Sequence, residues 1–261
     1  MFTLAAWSQT VDPAGVFVAL NAVVDQHLVV LTVTGIEVPA LNQVIALAAG
    51  VETTVAQQAR LTAPSRRILA LQRIAPTQGN AAGPSLPADP QHVVDLLDVP
   101  LPMVVGETAQ IEILSDPAAA QVQWGLAWFA DGPVAELKVP TFTIRATGAT
   151  VLAANAWVLV PLAFSEVLPR GRYQLVGLRA QSANMIAARA VFPGGPWRPG
   201  VLGTNTDRHL ENRMFRWGNM GVFGEFEDTA PPQIECLGAA ADAAEVFYLD
   251  LIQIRSGPGG G

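Results

Sequence analysis

Turn-forming residues cut this chain into short apolar runs, and that punctuation limits the fold more than any other feature. Gly occurs 23 times and Pro 20 times in 261 residues. Asp12-Pro13, Asp116-Pro117, Asp131-Gly132-Pro133 and Pro193-Gly194-Gly195-Pro196 carry turn chemistry, because Pro fixes φ and Gly reaches conformations closed to other residues. The runs between such breaks predict strands over 2–7, 27–36, 53–62, 67–74, 109–114, 121–129, 142–146, 156–162, 173–180, 185–192 and 245–254. Polar and apolar residues interleave over 121–126 and 174–179, as half-buried strands require. Helical pattern is scarce. It predicts short helices over 40–49, entered through Pro39, over 89–97, led by Asp89-Pro90, and over 239–245. Strands at this spacing with few helices predict an all-β chain of sandwiches or barrels.

The turn at 131–133 precedes a fresh run of strands and marks the expected boundary. Two units follow, 1–133 and 134–261, each long enough for a short eight-stranded sandwich. The stretch 75–90, rich in Pro, Gly, Asn and Ala, reads as an exposed loop within the first unit. The halves share no sequence repeat, so any duplication is one of fold. The Gly-rich tail 256–261 reads as a flexible end.

Charge then narrows the function. Hydrophobic residues make up 51% of the chain and charged residues only 14%, against about 25% in ordinary domains. Disordered chains show the opposite balance, and a solvated helical bundle needs many more charges on its outer faces. Such a chain buries much of its surface, in its own core or against copies of itself. Lys138 is the sole lysine. Residues 1–133 hold 4 Arg against 11 acidic residues, while 134–261 hold 11 basic and 11 acidic, so the net −7 sits in the first half. Broad contact with nucleic acid needs clustered Lys and Arg and is not expected.

No basic side chain precedes Arg60, so no secretory signal is expected and synthesis is assigned to the cytoplasm. Cys236 is alone, which excludes an internal disulfide and a thiolate zinc site, and it reads as a small buried thiol. Twenty uncharged residues, 146–165, imitate a membrane span. They contain Gly148, Asn155 and Pro161, and two strands around a turn explain them better.

Catalytic patterns are sparse. A P-loop, a G-x-S-x-G elbow and an H-E-x-x-H pair are all missing from the sequence. His209 and Glu211, within Asp207-Arg208-His209-Leu210-Glu211, could share a strand face for general-base work, although a solvated loop of mixed charge fits the same residues. Asp25 and His27, two apart, allow the same pair of readings. Glu225/Glu227 and Asp95/Asp98 are carboxylate pairs of the kind glycoside hydrolysis uses, yet solvated faces or a helix edge account for them. Trp124 and Trp128 fall on one strand face and read as core, with sugar stacking as the other reading. No catalytic residue, metal or cofactor is assigned. Trp197, Arg198, Arg213, Arg216 and Trp217 lie in a Gly/Pro/Arg-rich region and form a candidate subunit interface, since Trp and Arg anchor such surfaces.

The stretch 168–203, LPRGRYQLVGLRAQSANMIAARAVFPGGPWRPGVLG, resembles the second-barrel region of double-jelly-roll major capsid proteins of tailless icosahedral phages. The matching features are a Gly-Arg-Tyr entry into a strand, a small-residue turn at Ser182-Ala183-Asn184, a strand over 187–192, and the run from Trp197 to Gly200. The resemblance covers about a seventh of the chain. It implies two jelly-roll β-barrels or sandwiches in tandem with few short helices, in a virion protein that catalyses nothing. It further implies a homotrimer whose six barrels imitate a hexagon and tile a shell. Vertex proteins and an internal membrane are the other partners the resemblance brings. Burial of subunit against subunit would account for the low charge and for Arg in place of Lys. The alternative expectation is another phage structural or attachment protein with a carbohydrate-binding β-sandwich, and a third is a hydrolase dependent on His209.

Overall fold

Apolar residues bounded by turns form twenty strands among the residues that the computed structural model describes, which are 1–12, 15–51, 56–66, 72–74, 93–115, 119–132, 140–204 and 221–256. The first half contributes β1 (Phe2–Val11), β2 (Val18–Ala19), β3 (Val30–Thr32), β4 (Gly35–Glu37), β5 (Gln43–Val51) and β6 (Ala56–Thr62). It continues with β7 (Gln72–Ile74), β8 (Val93–Asp95), β9 (Leu101–Pro102), β10 (Thr108–Ser115) and β11 (Gln121–Ala130). The second half holds β12 (Phe142–Thr147), β13 (Trp157–Val160), β14 (Ala163–Phe164), β15 (Gly171–Gln181) and β16 (Met185–Val191). It ends with β17 (Gly200–Thr204), β18 (Gly224–Glu227), β19 (Gln233–Gly238) and β20 (Val246–Ser256). Among the described residues the fold is all-β, as the sequence predicts.

Pairing follows one scheme twice. In the first half β1 pairs β11, β2 and β4 line one edge of β10, β5 pairs β8, and β6 pairs β7. In the second, β12 pairs β20, β13 pairs β19, β15 pairs β18, and β16 pairs β17. Counted as eight strands, each half nests first with eighth, second with seventh, third with sixth and fourth with fifth. That is a long antiparallel ribbon folded over on itself. The sheet orders agree: β1-β11-β5-β8 beside β4-β10-β6-β7, and β12-β20-β15-β18 beside β13-β19-β16-β17. In the second half a short parallel contact, Ala180 with Gly203 and Gln181 with Thr204, joins both groups into one curled nine-stranded sheet.

The five-stranded sheet of the first half is buried on both faces. Ala5, Trp7, Leu47, Ala49, Ala127 and Phe129 point into the first-half sandwich and meet Ile111 and Ile113 of the opposing sheet. Their neighbours Leu4, Ala6, Ala46, Ala48, Leu126 and Trp128 point the other way, into one continuous core with Ile186, Ala188 and Val201 of the second half. The central sheet thus serves two cores, through the period of two along each strand.

Three predicted helices are corrected. Residues 43–51 form strand β5 instead: an apolar run buried on both faces loses the alternation that marks a strand. Residues 93–95 form strand β8, with 89–92 outside the described residues, and 239–245 make no helix. The span-like segment 146–165 holds β13 and β14 around Pro161-Leu162. No helix among the described residues is long and apolar enough to cross a membrane.

Candidate functional site

A set of buried polar contacts lies where the two halves meet. The turn Pro193–Pro196, with Gly194 at φ 71°, delivers Trp197 and Arg198 to the open edge of β1. The Leu4 amide donates to the Arg198 carbonyl at 2.9 Å, and the Arg198 amide donates to Thr3 Oγ1 at 3.1 Å. Residues 21–23 cover the rest of that edge: the Ser8 amide donates to the Asn21 carbonyl at 2.8 Å, and the Val23 amide to the Ala6 carbonyl at 3.0 Å. An open strand edge invites unwanted pairing, and here the chain closes it. Two further ties cross between the halves. Trp128 Nε1 donates to the Gly200 carbonyl at 2.8 Å, and Ser8 Oγ donates to Asn155 Oδ1 at 2.7 Å.

A charged cluster sits among these ties. Arg189, in the middle of β16, is 1% exposed. Its Nη1 binds Asp25 of the first half, its Nε donates to Glu235 Oε2 of β19 at 2.7 Å, and its Cζ lies 4.0 Å from the centroid of the Trp157 ring. Arg198 Nη1 donates to the Gly195 carbonyl at 2.7 Å and so fixes its own turn, while Nη2 binds His27 Nε2. Asp25 Oδ1 also accepts the His27 amide at 2.7 Å. Burial, then the charge of Arg198, lowers the proton affinity of His27, against the opposing pull of Asp25. Burial likewise lowers that of Arg198, which remains a cation because its ordinary value is so high. Two guanidinium groups therefore face two carboxylates across a neutral imidazole. Both carboxylates are engaged by Arg189, so the geometry is that of a clamp that holds two sheets together.

Of the candidate interface, Arg198 is buried with its partners inside the chain, and Trp197 packs on the first-half core. Arg213, Arg216 and Trp217 lie outside the described residues, as do His209, Glu211 and their neighbours. Asp25 and His27 do come together, and the structure adds Arg189, Glu235 and Arg198 to them. A lone Arg within MIAARAV and a lone Glu within QIECLG carried the signal, since a charge inside an apolar strand must find a partner.

Trp124 and Trp128 share one face and are buried at the seam. Glu225 is held on the surface by Arg172 at 2.6 Å and Gln174 at 2.8 Å. Asp95 lies on β8, and Asp98 is exposed just beyond it. Cys236 is buried, and burial, then Glu245 and Glu235, push its thiol well above the ordinary range. No group of His, Cys, Asp and Glu suited to a metal ion occurs among the described residues. No protein-family model, curated protein or solved structure matches the chain.

Proposed function

We propose that this chain is a structural protein, a major capsid protein of two jelly rolls that assembles as pseudo-hexagonal trimers into an icosahedral shell and catalyses no reaction. The observation that carries the reading is the ribbon pairing that occurs once in each half. Eight antiparallel strands nested in this way are what a jelly roll requires, an architecture common in viral shells, and the pairing supports the reading. Two such units side by side give one subunit two similar faces, and three subunits give six.

The surface is consistent with partners of the same kind. Val24, Val29, Leu31 and Val33 are exposed within a segment, 24–36, whose only charged residue is the buried Asp25. Contiguous exposed apolar residues mark association surfaces. Copies of this chain are the first partners of the reading, followed by vertex proteins and an internal membrane, and the virion is the place it implies.

The carbohydrate-binding alternative needs exposed tryptophans. Trp7, Trp124 and Trp128 are buried, and Trp157 stacks on Arg189, so these four lend it no support. Native mass spectrometry and electron microscopy of the purified chain test the proposal. A trimer or a shell is the expected result, and a monomer at micromolar concentration overturns it.

A further inference from the structure

Among the described residues His27 is the one histidine, it lies at the seam between the halves, and its neighbours make its protonation state matter. Among the described residues the groups that face His27 are Asp25 on its own segment, Arg189 and Glu235 from β16 and β19, and Arg198 from the turn before β17. A guanidinium has donors only, so the contact of Arg198 Nη2 with His27 Nε2 requires Nε2 to accept. His27 is therefore the neutral tautomer with its proton on Nδ1. The four remaining charges balance, two positive against two negative.

We propose that this seam is an acid-loosened clasp, in which proton uptake by His27 detaches Arg198 and loosens the 21–27 arm against the second half. A proton on Nε2 removes the acceptor that Arg198 uses. It also sets a third positive charge against Arg198, with Arg189 close behind. Asp25 accepts the backbone amide of His27 at 2.7 Å and still binds Arg189, so it stays as the remaining side-chain tie of the arm. The arm then keeps only one of its two side-chain anchors to the second half. What the arm covers is the edge of β1, through the Ser8 and Val23 bonds and the bridge between Trp7 and Ala22. Acid thus weakens the cover over a strand edge that is closed at neutral pH.

The direction follows from proton linkage. Burial and Arg198 hold His27 below its ordinary value, so the folded state binds fewer protons than the unfolded chain. The stability this contributes is present above the free imidazole value of ~6.5 and is lost as pH falls through the folded value.

Hydrogen exchange of the full chain, corrected for intrinsic rates, tests the clasp at the Ser8 and Val23 amides. Between about pH 7.5 and about pH 5, protection should fall by about tenfold or more in the wild type. In His27→Gln, which cannot take up the proton, it should change by less than about twofold. An equal loss in the variant, or no loss in the wild type, overturns the proposal. Ring nitrogen chemical shifts of the wild type give a second readout that needs no variant. An Nδ1–H tautomer titrating below ~6.5 is expected, and an Nε2–H tautomer at neutral pH overturns the proposal. A monomer would show these effects as readily as a shell.

Discussion

Arg189 of the second half binds Asp25 of the first, and both side chains are 2% exposed. With Glu235 on its Nε and Trp157 beneath its plane, the guanidinium fills a site that no solvent could serve. Removing one partner of a buried ion pair leaves the other charge uncompensated, at about 3–5 kcal/mol. Arg189→Met should cost that much, because it leaves two carboxylates facing each other. Asp25→Asn should cost less, since Glu235 still engages Arg189. Denaturant unfolding of the two single variants and the double variant checks the order, and additive effects would contradict a shared cluster.

Trp124 and Trp128 sit four apart on one face of β11, yet they should respond differently to replacement by Phe. Trp128 Nε1 donates to the buried Gly200 carbonyl at 2.8 Å, whereas Trp124 Nε1 is buried without a hydrogen-bond partner. Trp128→Phe strands an acceptor at the seam, a loss of about 1–3 kcal/mol beyond the volume removed. Trp124→Phe removes volume together with an unsatisfied donor. The first should lower the denaturation midpoint more than the second.

How much of this was legible depends on which face of a strand meets what. Strand β11 announced itself through the alternation of Gln and apolar residues over 121–126. Strand β5 did not, because Leu47 and Ala48 are both buried, one in each core, and a two-sided strand has no polar beat. Strands β17 and β19 are short, and Gly or charged residues interrupt their apolar pattern, so neither stands out in the sequence. Gly200, Arg189 and Glu235 belong to the seam, and their meaning lies in partners far away in sequence. The sequence joins His27 to Asp25 alone, since nothing local to 25–27 points to Arg198.

Gly200 packs at the seam, against Leu4 of the first half. A Cβ there would lie 2.7 Å from the Ala188 carbonyl oxygen, 2.7 Å from Leu4 Cδ2 and 2.8 Å from Arg189 Cβ. The carbonyl belongs to the backbone and cannot turn aside. Gly200→Ala should therefore cost about 1–3 kcal/mol, as overpacking does. Gly132→Ala, with nothing within 4 Å of the new Cβ, should be close to neutral. Thermal unfolding of the two variants gives the comparison, and equal midpoints would show that the seam yields.

Glu245 supplies a pH dependence of the opposite sign to that of His27. It is 1% exposed, and neither carboxylate oxygen makes a hydrogen bond of ordinary geometry. Its place is fixed from both sides: the Gly148 amide donates to the Glu245 carbonyl at 3.0 Å, and a Cβ at Gly148 would lie 2.7 Å from Oε2. Burial, with Asp242 nearby, pushes the carboxyl above the ordinary glutamate range. The folded state then binds the proton more tightly than the unfolded chain. Its contribution is full below the unfolded value of ~4.3 and is lost as pH rises through the folded value. Glu245→Gln keeps the shape and cannot ionise, so it escapes that loss. The midpoint of the variant minus that of the wild type should grow from about pH 5 to about pH 8. A difference that stays flat, or shrinks, would mean that Glu245 is ionised in the folded protein throughout, with a partner that compensates its charge.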